Sequence, residues 1–346
     1  MNQPFPTSWL RPAAALLAAL VLLCASAPGA EKAVNIRLGT LAPRGTSYHK
    51  SLLTMRDKWQ QASAGGVKLT VFPDGTQGGE ADMVGLMQTG NLDAGLLTSS
   101  GLAEIEPAVT ALQSMPMAFN TLDEVDYVGD KLRVPLEQKL AAKGYLVLFW
   151  TDSGWIRFFS KTPVVRPDDL RKLKLFTWNG KILEADLWKR AGFHPVQLET
   201  AGIPQGLLSD TINAVPMPPF FALAGNLDHQ AKYMLNLNWA PLVGALVVTK
   251  KSWDKVPANT RAALVKAASE AGREVKSRAR AENEESVAAM AKRGLKVQKV
   301  PAELALEWRK VIEDVQDDIR GKIVPADMFD EAQRALREFR AGTGAQ

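Results

Sequence analysis

Between Val34 and Leu97 the hydrophobic pattern switches repeatedly between two periods, and this alternation constrains the fold more than any other feature of the sequence. Val34-Asn35-Ile36-Arg37-Leu38 alternates apolar and polar side chains, the signature of a half-buried strand. From Ser47 to Ala62 the apolar residues Leu52, Leu53, Met55 and Trp59 recur at helical spacing. Lys68 to Phe72 reads as a second strand, stopped by Pro73-Asp74-Gly75. A helix from Glu80 to Thr89 follows, and after the Gly90-Asn91 turn a third strand covers Leu92 to Leu97. Strand, helix, strand, helix, strand predicts an α/β domain with a mostly parallel sheet. Ligands of such open sheets lie beyond the carboxyl ends of the strands, which makes the loops around Leu41 and Thr98 candidate binding positions.

The alternation resumes in the middle of the chain, and 346 residues allow two domains. Strands are expected over Tyr145–Trp150, Trp155–Ser160, Lys174–Thr177, Ile212–Val215 and Leu242–Thr249. Helices are expected from Pro167, over Lys181–Ala191 and over Ile203–Ser209, with His194 in a loop. Asn259 or Thr260 is placed to cap a helix running to Arg293, rich in Ala, Glu, Lys and Arg. At 1.5 Å per residue it is roughly 50 Å long, enough to brace two domains. A late strand, Leu295–Val300, and helices over Ala302–Ile319 and Asp327–Phe339 finish the chain.

The N-terminus reads as a secretory leader. Arg11 is followed by the apolar run Ala13–Leu23 and then by small residues through Ala30, the order of a cleaved signal. The run is about 11 residues, short of the roughly 20 that span a bilayer core. Removal of residues 1–30 leaves no cysteine, because Cys24 is the single one in the chain. Lipidation of Cys24 is the alternative, but Leu23 stands where a lipoprotein signal wants a small side chain. An exported protein is therefore expected, and a thiol-free chain suits an oxidising compartment.

Several chemistries lack their residues. The three histidines, His49, His194 and His229, are far apart, and no His-Glu-x-x-His helix occurs. There is no Gly-x-Ser-x-Gly elbow, phosphate loop or Gly-x-Gly-x-x-Gly turn. The Asp168-Asp169 pair fits helix capping better than acid–base work. A net charge of +5 with no dense basic run gives no nucleic-acid face. No metal and no cofactor are expected. Aromatic residues are denser instead: Trp155, Trp178 and Trp239 fall at strand or loop ends, with Phe176 and Phe220 near them, as in a small-molecule cleft.

The segments Leu38–Thr46 (LGTLAPRGT), Val71–Glu80 (VFPDGTQGGE), Gly90–Asp93, Pro163–Leu175 (PVVRPDDLRKLKL), Ala191–Val196 and Leu208–Pro218, in this order and spacing, carry a family resemblance. The sequence resembles the solute-binding proteins of tripartite ATP-independent periplasmic (TRAP) transporters, dicarboxylate-binding type, from about Val34 to Ala341. The resemblance implies an α/β, two-lobe periplasmic binding protein fold, with mixed sheets in each lobe and a long helix touching both. It implies capture of a small organic acid by lobe closure and delivery to membrane permease subunits.

The lobes are expected at 31–152, completed by 244–256 and part of the C-terminal region, and at 153–243. A helical region, 257–346, carries the bridging helix near 259–293. Crossings between lobes are expected near Thr151–Gly154 and Val243–Thr249. Three family contact positions depart from the pattern. The first cleft arginine corresponds to Ile156, with Arg157 one residue later; the carboxylate-binding arginine corresponds to Phe176; an asparagine corresponds to Met217. Burying a carboxylate without a cation costs several kcal/mol, so a larger or less charged ligand is expected. The expected ligand residues are Leu41, Thr98, Trp155, Arg157, Phe176, Trp178, Met217, Phe220 and Trp239. The partner is a small organic ligand, a carboxylate or an apolar molecule. A carrier of lipid or apolar molecules for another envelope system is the alternative, and a periplasmic enzyme the alternative of another class.

Overall fold

The computed structural model describes residues 33–343, so the leader and Cys24 lie outside the described residues. The strands are β1 (Val34–Thr40), β2 (Val67–Phe72), β3 (Ala94–Thr98), β4 (Tyr145–Ser160), β5 (Lys174–Trp178), β6 (His194–Leu198), β7 (Ala214–Met217), β8 (Tyr233–Thr249) and β9 (Lys296–Lys299). The longer helices are α1 (Ser47–Ala62), α2 (Glu80–Thr89), α3 (Leu122–Ala142), α4 (Ile182–Arg190), α5 (Ala258–Lys292), α6 (Ala302–Glu313) and α7 (Ala326–Thr343).

The strands follow the order β2-β1-β3-β8-β4-β7-β5-β6, with β9 on β8, in one hydrogen-bonded sheet. Mixed sheets in each lobe were the expectation, and both parts do combine parallel with antiparallel pairs. They merge because β4 and β8 are 16 and 17 residues long and pair antiparallel along almost their whole length. At about 3.3 Å per residue each spans about 50 Å, enough to serve both lobes. The two strands expected on either side of Thr151–Gly154 are therefore one. Thr151 and Asp152 stay paired with Gly244 and Val243, the register slips before Trp155 pairs with Pro241, and Gly154 takes a φ of +70° there. Only glycine adopts that conformation at little steric cost.

Parallel pairs β1–β2 and β1–β3 lie on one side of the crossing, and β5–β6 and β5–β7 on the other. Two apolar cores flank the first part of the sheet. One packs Leu132, Leu136 and Leu140 of α3 against Leu336 of α7; the other packs Trp59 of α1 against Leu264 of α5. The second part has an aromatic core around Phe158, Trp239 and Trp308, and another around Phe159, Phe176 and Met234. Helix α5 contributes Leu264 to Ala279 to the first part and Met290 to the second, so it braces both lobes.

Local expectations needed correction. Helix α3 was not expected; Pro135 interrupts its pattern, yet Val125, Val128, Leu132, Leu136 and Leu140 keep one buried stripe. Helix α5 begins at Ala258 after Pro257, and Thr260 Oγ1 donates to the Pro257 carbonyl (2.8 Å) instead of capping. Helix α6 stops at Glu313, six residues before the expected end, and the chain reverses at Gly321 (φ +98°). His194 opens β6 and pairs with Lys174. Asp169 caps as expected: Oδ2 accepts from the Arg166 and Val165 amides.

Candidate functional site: an interlobe cleft

Two parallel strand pairs, running in opposite senses, end at one place. Leu41 follows β1, Thr98 ends β3, Trp178 ends β5 and Met217 ends β7, and all four line a cavity of about 550 Å³. This is the position open α/β sheets reserve for ligands, here supplied by both lobes. Ile156 of β4, Leu242 of β8 and Phe221 continue the apolar wall.

The charges lining the cavity are Asp74, Asp82 and Glu199, and among the described residues no lysine, arginine or histidine joins them. All three are exposed. Asp82 accepts from the Gly79 amide (3.0 Å), Asp74 pairs with Arg44 (3.3 Å), and Glu199 accepts from Asn179 (3.0 Å). Glu199 reaches across the cleft: a Cβ on Gly79 would collide with its carboxylate. A second interlobe contact is Lys181, whose Nζ donates to the Ser100 carbonyl (2.7 Å) and pairs with Glu104 (2.6 Å). Thr98 is held from behind. The buried Glu80 carboxylate accepts from its amide (2.7 Å), its hydroxyl (2.5 Å) and the Gly101 amide (2.9 Å). Burial pushes the Glu80 carboxyl above its ordinary pKa, against the opposing pull of these donors.

Of the expected ligand residues, Leu41, Thr98, Trp178 and Met217 meet in this cavity, and the others lie elsewhere. Phe220 stacks on Tyr48 (ring centroids 5.9 Å apart), and the cleft position passes to Phe221, the next residue on the helical turn Pro219–Ala224. Trp155 packs against the first lobe's core. Phe176 is fully buried among Phe159, Ile203 and Val215. Trp239 stacks on Trp188 at 5.4 Å, in a separate aromatic cavity. Arg157 turns to α5, where Nη2 pairs with Glu284 at 2.8 Å. The one-residue displacement from Ile156 sends it to the other side of the strand, because strand side chains alternate.

Beneath the cleft the crossing is densely bonded. Asp152, 4% exposed, takes two hydrogen bonds from Arg280 (2.9 and 2.6 Å), and Arg280 also grips Asp126 (2.6 and 3.0 Å). Burial works against the Arg280 charge, but the two carboxylates outweigh it and raise its pKa. Asn283 of α5 donates to the Ser153 carbonyl (2.5 Å) and accepts from the Phe220 amide (2.9 Å). Tyr48 shares a 2.5 Å hydrogen bond with Ser153, and burial pushes its phenol well above the usual range.

Sequence reasoning placed Ile156 at a cleft position of the resemblance but did not count it among the ligand residues, and it missed Phe221, Leu242 and Glu199 as lining residues. Ile156 and Leu242 carried a signal: both sit where the long strands pass the strand ends. Phe221 and Glu199 depend on the phase of a short helix and on lobe approach, which no local pattern encodes. Among the described residues no group of three or more His, Cys, Asp or Glu could hold a metal ion.

Two lobes that present parallel strand ends to one cleft, joined by two long strands and a bracing helix, define a binding protein that holds a solute between its lobes. The chain belongs to the family of bacterial extracellular solute-binding proteins, family 7 (DctP), whose model matches residues 38–322. It is 25% identical over 316 residues to the C4-dicarboxylate-binding periplasmic protein DctP of Rhodobacter capsulatus, covering 89% of this chain and 93% of that one. It is 29% identical over 248 residues to the 2,3-diketo-L-gulonate-binding periplasmic protein YiaO of Escherichia coli, covering 69% and 73%. The sugar acid binding protein DctPAm of Advenella mimigardefordensis, solved with galactonate, has the same fold, with a TM-score of 0.82 at 17% identity over 89% of this chain and 99% of that one. A TRAP periplasmic solute binding protein of Sulfurospirillum deleyianum with bound succinate gives 0.79 at 19% identity over 87% and 99%. The resemblance read from the sequence is thus borne out: this is a TRAP-type solute-binding protein, a transport receptor and not an enzyme.

Proposed function

We propose that the chain is exported by its leader to the periplasm, captures a small organic ligand in the interlobe cleft, closes on it and delivers it to TRAP permease subunits. We assign one lobe to residues 33–152 with 244–256 and part of the C-terminal region, and the other to 153–243 with the segment from Met290 through β9 and α6. The ligand has more apolar surface and less negative charge than a short dicarboxylate. The observation that carries this reading is the cavity lining: Leu41, Ile156, Trp178, Met217, Phe221 and Leu242 with three carboxylates and no cation. Relatives named for C4-dicarboxylates and 2,3-diketo-L-gulonate support a small organic molecule as the class. Among the described residues the cavity lining offers an anion no cation, whereas each buried methylene contributes about 0.8 kcal/mol.

Calorimetry with succinate, then with straight-chain monocarboxylic acids of increasing length and their primary amides, tests the reading. Succinate binds weakly, affinity rises about fourfold per added methylene, and each amide binds more tightly than its acid. Tight succinate binding with affinity falling along the series overturns it.

A further inference from the structure

A second cavity, of about 100 Å³, adjoins the cleft; second-lobe residues line most of it, and Gln113, Ser114 and Pro116 of the first lobe complete it. Ile156 and Trp178 line both cavities, so these two side chains form the partition between them. Its other walls are largely aromatic and aliphatic: Trp188 of α4, Trp239 of β8, Phe193, and Val311 and Ile312 of α6. A purely apolar void of this kind would be a packing defect. This one contains polar groups with no evident structural task. Three successive residues at the end of β5, Phe176, Thr177 and Trp178, line this cavity. Thr177 is 4% exposed, lines the cavity, and its buried Oγ1 has no hydrogen-bond partner. Leaving a buried hydroxyl unpaired is unfavourable, and native structures seldom do so. The Glu184 carboxyl, from the first turn of α4, lines the same cavity. Burial there raises its pKa, and the nearby Lys181 ammonium opposes the rise.

We infer that this cavity is a subsite of the ligand pocket, which receives an apolar extension of the solute ending in a hydroxyl or primary amide. The inference rests on the reading of the cleft as a site for an apolar solute, and it adds the ligand's length and terminal chemistry. A hydroxyl both donates and accepts: it gives its proton to Glu184 and accepts from Thr177 Oγ1, which completes the unpaired group. The volume matches a few non-hydrogen atoms, since an apolar cavity of about 150 Å³ holds benzene. The solute body occupies the cleft and its end passes between Ile156 and Trp178.

The probes are 1-alkanols and α,ω-alkanediols of four to ten carbons, titrated calorimetrically into the mature chain and two variants. Thr177→Val removes the hydroxyl at nearly constant shape. Ala191→Leu fills the second cavity, since Ala191 lines it and not the cleft. The expected result has three parts. In the unmodified chain, affinity rises with length, and the longer diols bind at least as tightly as the matching alkanols. Thr177→Val weakens the longer members of both series about tenfold, since each presents a terminal hydroxyl to the subsite, and leaves the four-carbon members unchanged. Ala191→Leu weakens only the longer members of both series. A length dependence that both variants leave intact overturns the subsite while the cleft reading stands. Absence of any length dependence in the unmodified chain overturns the cleft reading, and the subsite with it.

Discussion

The cleft and the crossing beneath it are built from adjoining stretches of the same two strands, yet their chemistry is opposite. At the crossing Asp152 is matched by Arg280, Arg280 also by Asp126, and Asn283 spends both ends of its carboxamide on backbone groups. A few residues on, Ile156 and Leu242 face the cleft with nothing but carbon. Hydrogen bonds and ion pairs are directional, so the crossing holds one geometry; apolar contact is not, so the cleft accepts varied shapes. The difference teaches where specificity resides. The polar residues fix how the lobes are joined, and on the proposed reading the apolar ones select what fits between them.

The largest expected effect separates core from cleft. Phe176 was expected at the ligand but is fully buried, so Phe176→Ala costs about 3–5 kcal/mol of stability. Met217→Ala, half-buried at the cleft, costs less stability and weakens binding of apolar probes. Urea unfolding beside calorimetry tells the two apart; a Phe176→Ala protein of native stability that fails to bind would return Phe176 to the cleft.

Next comes the crossing itself. Asp152→Ala strips Arg280 of one carboxylate while Asp126 remains, for an expected loss of about 2–3 kcal/mol. The urea midpoint should fall at constant slope. An unchanged midpoint would mean that the ion pairs do not fix the crossing.

Lys181→Ala removes the interlobe contact to Ser100 and Glu104. Stability should change by less than about 1 kcal/mol, since Glu104 is exposed. Small-angle scattering of the ligand-free protein should instead show a larger radius of gyration. An identical profile would show that this contact plays no part in holding the lobes together.

The smallest effect is a pH dependence. Burial raises the Asp126 pKa, but its bonds to Arg280 and Lys276 outweigh this and leave it lowered. A depressed folded pKa contributes stability above the unfolded value of about 3.9, and that stability is lost as pH falls through the folded pKa. Asp126→Asn should therefore flatten the acid limb of a melting-temperature profile below about pH 4. An equally steep limb would assign the acid sensitivity to other carboxylates.

Much of the architecture was legible in the sequence because it is local. The alternation from Val34 to Leu97 and the helix-forming run of α5 reflect backbone periodicities that few residues specify. That Leu41 and Thr98 meet at one cavity was legible too, because a strand's carboxyl end is a local feature, whereas Trp178 came from aromatic density and Met217 from the family resemblance. The merging of two sheets into one was not, because it depends on β4 and β8 staying paired through a register slip at Gly154. Nor could the sequence say which way Phe176, Arg157 and Trp239 point. A shift of one residue reverses a strand's faces, and only the packing of α5 against one face and α6 against the other decides which is cleft, core or ion pair.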